Sequence, residues 1–147
     1  MIDDLSGEIR EKTHFFEVRV YYEDTDFTGI VYHANYLKFA ERGRTNFLRL
    51  LGINHSELIN SLDPKYFVVY KMNSQFLGTS TIDDILEVRS IFRGIDGVRL
   101  KIAQDIFKDE KKVFSANIEF ALLDKNAKPK RFPEDIKSKI EKYLSEK

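Results

Sequence analysis

The chain contains no cysteine, which excludes a disulfide framework, a thiolate metal site and a cysteine nucleophile. It carries no net charge: 24 Lys and Arg balance 24 Asp and Glu, so no overall field draws it to nucleic acid or to an anionic membrane. No apolar run approaches bilayer-spanning length, and Met1-Ile2-Asp3-Asp4-Leu5 lacks the basic start and apolar stretch of a signal peptide. A cytosolic protein is therefore expected. There is no Gly-x-Ser-x-Gly elbow to present a serine nucleophile, and no repeat or low-complexity segment.

What is present suits a packed globule: 42% hydrophobic residues, with 12 Phe and 7 Tyr, more aromatic material than one small core needs. At 147 residues the expectation is a single domain over residues 1–147. Residues 1–14 read as a loose, charged arm, with His14 a surface residue at the entrance of the first strand. Residues 15–22 alternate Phe16, Val18, Val20 and Tyr22 on one face with Glu17 and Arg19 on the other, which predicts a strand. Tyr36, Leu37, Ala40, Phe47, Leu48 and Leu51 then recur at helical spacing and predict a helix over residues 34–51. Asn35 is placed for its N-cap or first turn, and Gly52 for its C-terminal stop. Gly43, within the apolar face, costs about 1 kcal/mol relative to alanine and makes sense where the helix lies close to a sheet. Lys38, Glu41, Arg42 and Arg49 fall on the wet side.

Residues 55–60 resemble a short second helix. Residues 67–76, 84–93, 98–107 and 112–123 read as strands, with Asp96-Gly97 a hairpin signal and residues 109–111 a polar tip. Residues 124–131 form a polar, basic loop. Pro133 opens an amphipathic helix over residues 133–147, with Ile136, Ile140 and Leu144 at spacings of four. This order predicts an α+β fold with a mostly antiparallel five-stranded sheet.

The run from Tyr21 to Tyr36 gathers Glu23, Asp24, Asp26, Gly29, His33 and Asn35 between the first strand and the helix. A helix start offers unpaired amides and the positive end of a dipole, so negative charge developing there is stabilised. Asp26 lies in the loop, free to aim at that start. On spacing alone it reads slightly better as a turn or capping acid than as a catalytic one. Asp24, Asp26 and His33 lack a recognised metal-ligand spacing, so neither metal nor other cofactor is expected.

The pattern Asp24-Thr25-Asp26-x-x-Gly29-x-Val31-Tyr32-His33-x-Asn35-Tyr36-Leu37, followed by Glu41-Arg42-x-Arg44, resembles the signature of YbgC-type acyl-CoA thioesterases. These belong to the 4-hydroxybenzoyl-CoA thioesterase branch of the hotdog superfamily, and the resemblance runs from about Phe15 to Pro133. It implies a sheet wrapped around the long helix, with subunits paired side by side into dimers or tetramers. It implies that Asp26 is the catalytic carboxylate, acting as nucleophile or as general base. The His33 amide would hold the oxyanion and the His33 side chain would assist, with Gly29, Tyr32 and Ala34 against the substrate and Tyr22 lining pocket or core. Glu41 is expected to ion-pair with Arg42 or Arg44. Coenzyme A phosphates call for basic groups at the pocket mouth, for which Arg93, Arg99 and Lys130, with Lys128 and Arg131, are weak candidates. The loop Thr79-Ser80-Thr81-Ile82-Asp83-Asp84 lacks the proline frequent in the family, which leaves its shape undetermined. Acyl carrier protein thioesters are a further substrate class. The rival readings are a hotdog hydratase or dehydratase, and a non-catalytic acyl-CoA-binding or scaffold protein.

Overall fold

The long helix dictates how the sheet is laid out. In the computed structural model, which describes residues 5–145, α1 spans His33–Leu50, shifted by one residue from its expected bounds. Its buried face holds Tyr36, Ala40, Gly43, Phe47 and Leu48, joined by Phe39. A Cβ on Gly43 would stand 2.7 Å from Cγ1 of Val88, so only glycine lets the helix lie this close to the sheet. That approach offsets the weak helix propensity of the residue. Gly52, at φ +81°, donates its N–H to the Arg49 carbonyl and ends the helix as expected.

The strands are β1 (Glu8–Arg10), β2 (Thr13–Arg19), β3 (Tyr66–Phe76), β4 (Ile85–Ile95), β5 (Arg99–Lys108), β6 (Lys111–Leu123) and β7 (Pro129–Lys130), with a short α2 (His55–Ile59) before β3 and α3 (Glu134–Glu141) after β7. They form one sheet in the order β1-β2-β4-β5-β6-β3, with β7 paired to β6, and every neighbour is antiparallel. The five expected strands are all present. The other two are β1 and β7, of 3 and 2 residues, too short to show a period.

Alternation buries Leu86, Val88 and Phe92 of β4, Leu100, Ile102 and Ile106 of β5, and Phe114, Ile118 and Leu122 of β6 beneath α1. The crossover from β2 through α1 delivers β3 to the opposite edge of the sheet. α1 itself packs on β2, β4 and β5. Among the described residues β3 is therefore left with a single strand neighbour, and Tyr66, Val69, Tyr70 and Phe76 are exposed along it.

Several expectations need correction. The first strand stops at Arg19, and a 3-10 turn at Tyr22–Asp24 rotates Tyr22 outward, leaving it 82% exposed. The basic loop holds β7, with Pro129 opposite Leu123. The last helix ends at Glu141, and Leu144 beyond it bridges to Phe92; residues 146 and 147 lie outside the described part. The supposed arm is also ordered from residue 8, where Glu8 pairs with Phe15, while residues 1–4 lie outside the described part.

His14 is a core residue rather than a surface one. It has no exposure, its ring lies 5.0 Å from that of Phe47 at 11° and 6.3 Å from that of Phe16, and its Nε2–H donates to the Ser6 carbonyl at 2.7 Å. Gly7 beside it, at φ +77°, has no room for a Cβ, which would fall within 3.1 Å of Nε2 and collide with the Phe15 carbonyl. The Nδ1 atom is buried with no partner among the described residues, and burial holds the imidazole pKa below its usual value. Protonation would put a second N–H where no acceptor waits. Because the unfolded chain takes up the proton first, stability is expected to fall as pH drops below about 6.5. The loss runs at up to about 1.4 kcal/mol per pH unit and levels off below the folded pKa. Urea midpoints at pH 7.5 and 5.5 check this: the pH dependence of His14→Phe should be flatter than that of wild type.

Candidate active site

Between Tyr21 and Tyr32 the chain makes two successive turns, and each acid there has a different duty. Asp24 is buried in the first. Its Oδ2 accepts the Tyr21 N–H and its Oδ1 the Asn35 side-chain amide, both at 2.9 Å. Its carbonyl accepts the Tyr32 N–H, also at 2.9 Å. Asp24 thus ties the turn to the helix start, and both its oxygens are engaged in doing so. Asn35 is a first-turn residue; the N-cap is Tyr32, which supplies no side-chain bond.

Asp26 opens the second turn. Its N–H donates to the Ile30 carbonyl at 2.8 Å and its carbonyl accepts the Gly29 N–H at 3.0 Å. Gly29 adopts φ +86° with open space around it, the left-handed conformation glycine takes without strain. The Asp26 carboxylate is exposed, and one oxygen is held: Oδ1 accepts the Thr28 hydroxyl at 2.6 Å and the Thr28 N–H at 2.8 Å. These two bonds, hydroxyl first, and to a lesser degree the nearby His33 imidazole hold the carboxyl below its ordinary pKa. It is ionised at neutral pH, with Oδ2 unengaged among the described residues. The turn role that spacing suggested is real, and it leaves one oxygen free.

α1 begins at His33 with no side-chain cap. The Asn35 N–H donates to the Tyr32 carbonyl at 2.8 Å, whereas the His33 and Ala34 amides have no partner among the described residues. The exposed His33 ring packs edge-on against Phe76 at 5.6 Å and tilted against Tyr32 at 4.6 Å. Residues 77–84 close over this corner. The Ser80 carbonyl accepts the Val31 N–H and its hydroxyl bonds the Tyr36 hydroxyl, both at 2.8 Å. Thr81 bridges to Ile30. Asp84 accepts the Thr81 N–H and pairs with Lys108 at 3.0 Å. Ser80, 1% exposed, therefore does the fixing in a loop without proline. Between this loop and α1 runs a groove of about 370 Å³ bounded by Ile30, His33, Tyr36, Phe76 and Leu77.

Asp26, Gly29, Tyr32, His33 and Ala34 thus occupy one corner. The weak candidates do not join them within the chain. Arg93 lies toward the far end of β4 from Ile85, in a separate outer-face groove with Lys71 and Lys101. Arg99 stands over the Tyr70 ring at 4.0 Å and pairs in register with Ala121. Lys130 lies opposite Leu122, and Lys128 and Arg131 adjoin it in the chain. Phe114 marks the corner's end of β6 through its stacking on Tyr36, so Ala121 is about 23 Å away at 3.3 Å per residue. Glu41 forms no ion pair among the described residues. Thr28 and Ser80 were not legible as site residues: the Thr28 contacts follow from a local turn, while those of Ser80 span 44 positions to Tyr36.

A profile of the thioesterase-like superfamily matches residues 20–140. The chain belongs to this superfamily. As a member it is a thioester hydrolase with the hotdog fold, its antiparallel sheet wrapped on α1. Among relatives, an acyl-CoA thioesterase YbgC of Haemophilus influenzae is 35% identical over 124 residues, covering 84% of this chain and 90% of that protein. An acyl-CoA thioesterase YbgC of Helicobacter pylori is 31% identical over 130 residues, covering 79% of this chain and 94% of that one. The crystal structure of a probable thioesterase from Bartonella henselae superposes with a TM-score of 0.80 at 39% identity, covering 82% of this chain and 99% of that one.

Proposed function

We propose that this thioesterase hydrolyses acyl-CoA at the corner formed by Asp26 and the start of α1. One observation carries the reading: an ionised carboxylate in the turn that leads into α1, whose Oδ2, like the first two amides of the helix, has no partner among the described residues. The thioester carbonyl oxygen takes the His33 N–H, where the helix dipole favours the charge that develops. Asp26 drives attack on the carbonyl carbon. As general base it removes a proton from water while the water oxygen bonds to carbon; the C–S bond then breaks and the thiolate recovers a proton. As nucleophile its Oδ2 bonds to the carbonyl carbon while the C–S bond breaks and the thiolate leaves to take up a proton, and water then cleaves the mixed anhydride to the free acid and the Asp26 carboxylate. A single turnover in ¹⁸O-labelled water separates the routes, since label in Asp26 marks the anhydride. The His33 imidazole orients water or assists the departing thiolate. Acyl carrier protein thioesters are a further substrate class, and no metal or other cofactor takes part.

The assembly is a homo-oligomer, dimer or tetramer, of one hotdog domain per chain. The open β3 edge supports this, since an exposed strand with Val69, Tyr70 and Phe76 uncovered invites pairing. Among the described residues no helix is long and apolar enough to cross a membrane; the proposed compartment is the cytoplasm.

The test is thiol release across short-chain, long-chain and aromatic acyl-CoA. His33→Ala, which keeps the backbone donor, is expected to lower kcat about tenfold to a hundredfold, at or below the bottom of what a positioned acid–base group contributes. An unchanged kcat would remove the imidazole from the mechanism. No thiol release from any saturated acyl-CoA by wild type would favour a dehydratase or a binding protein.

A further inference from the structure

Asp26 is exposed, and an exposed aspartate ordinarily moves among staggered χ1 wells with a broad χ2. Beside a scissile carbon that freedom slows reaction, because the reacting atoms must be held about 3–3.5 Å apart with their orbitals aligned. The main chain around Asp26 is already fixed. Thr25 bridges to Val31, the Asp26 N–H donates to the Ile30 carbonyl at 2.8 Å, and the Asp26 carbonyl accepts the Gly29 N–H at 3.0 Å. These bonds settle where the Cα stands and leave both side-chain torsions open.

Thr28 closes them. Its hydroxyl donates to Oδ1 of Asp26 at 2.6 Å and its N–H to the same atom at 2.8 Å. Two donors converging on one oxygen fix both torsions, and with them the direction of the other oxygen. The bonds differ in what the sequence must supply. Any residue but proline offers the N–H, whereas only serine or threonine carries a hydroxyl on Cβ. An ionised carboxylate only accepts, so the hydroxyl proton is committed to Asp26 in a short, charge-assisted bond.

The same bond has an opposite effect on basicity. It is the largest of the influences that hold the carboxyl below its ordinary pKa, ahead of the Thr28 amide and of His33. A base of lower pKa removes a proton less readily. A hydroxyl that acted on charge alone would therefore slow the reaction, while one that aims Oδ2 speeds it. The two effects differ in sign, and kinetics separates them.

We infer that Thr28 is a positioning residue for the hydrolysis: its hydroxyl holds the Asp26 carboxylate so that Oδ2 meets water or the thioester carbon. This role presupposes that Asp26 is the carboxylate of the reaction.

The experiment is thiol release from a saturated acyl-CoA by Thr28→Val and Thr28→Ser, each made in wild type and in Asp26→Asn. Thr28→Val keeps the N–H bond and the branched shape and loses only the hydroxyl. It is expected to lower kcat about fivefold to fiftyfold with KM little changed, within the roughly hundredfold that a small misplacement costs. The acid limb of kcat/KM should move to higher pH, since the ionised form loses its strongest donor. Thr28→Ser should restore both. In Asp26→Asn, Thr28→Val should leave the residual rate unchanged, because two residues that act as a unit are not additive. Thr28 is exposed, so the urea midpoint should hold, and Thr28→Ala should reproduce the loss with a smaller side chain. A kcat at or above wild type in Thr28→Val would overturn the role. So would a loss that Thr28→Ser fails to restore, or one that recurs in full on Asp26→Asn. A fully active Asp26→Asn enzyme would remove Asp26 from the chemistry and this role with it. A slow Asp26→Asn beside a fully active Thr28→Val would remove the role alone.

Discussion

Asp26→Asn is expected to lower thiol release from acyl-CoA by about a hundredfold to ten-thousandfold, the span a positioned acid–base group contributes. The substitution is a narrow one. Asparagine retains an oxygen where Oδ1 accepts the two Thr28 bonds, so the turn through Gly29 keeps its shape and the helix start keeps its place. What disappears is the negative charge and the basic or nucleophilic Oδ2. The loss should therefore fall on kcat, with KM little changed and far-UV circular dichroism identical to wild type. Asp24→Asn gives the contrast. Asp24 ties Tyr21 to Asn35, so its loss should act through folding stability and not selectively on kcat. An Asp26→Asn enzyme with more than a tenth of wild-type kcat would end the assignment of Asp26 to the chemistry.

Phe47→Ala carries the largest expected change in stability, about 3–5 kcal/mol. Phe47 has no solvent exposure and joins three parts of the fold. Its ring stacks on Phe92 of β4 at 4.3 Å, on His14 of β2 at 5.0 Å, and meets Tyr143 after α3 edge-on at 6.4 Å. Removing it deletes burial and leaves a cavity whose walls belong to different elements and cannot all close at once. The urea midpoint should fall with the slope of the transition preserved. A loss below about 1 kcal/mol would mean that this cluster relaxes freely, contrary to the packing described.

Most of the architecture was legible because two simple periods carried it. Residues 66–123 hold long strands whose alternate side chains face α1, and the helix shows a face of period 3.6 ended by Gly52. His14 was misread although its position shares the parity of Phe16 and Val18. A polar side chain on a buried face breaks the hydrophobic pattern, and the Ser6 carbonyl that satisfies it belongs to a turn with no period at all. Tyr22 failed in the opposite direction, since alternation was extended beyond the point where the 3-10 turn rotates the chain. Glu41 read as ion-paired with Arg42 or with Arg44, three residues on along the helix. In the fold Arg44 turns inward onto Phe120 while Glu41 stays in water.

The order of elements, the antiparallel strands, the buried helix face and the membership of Asp26, Gly29 and His33 in one short run were determined by the amino-acid sequence alone. Local periodicity and a contiguous motif suffice for these. Tertiary structure decided which oxygens of Asp24 and Asp26 are engaged, that residues 77–84 dock on the corner through Ser80, and that Arg44 turns onto the Phe120 ring. Each of these depends on side chains or loops brought to particular angles by packing, and neither composition nor spacing encodes those angles.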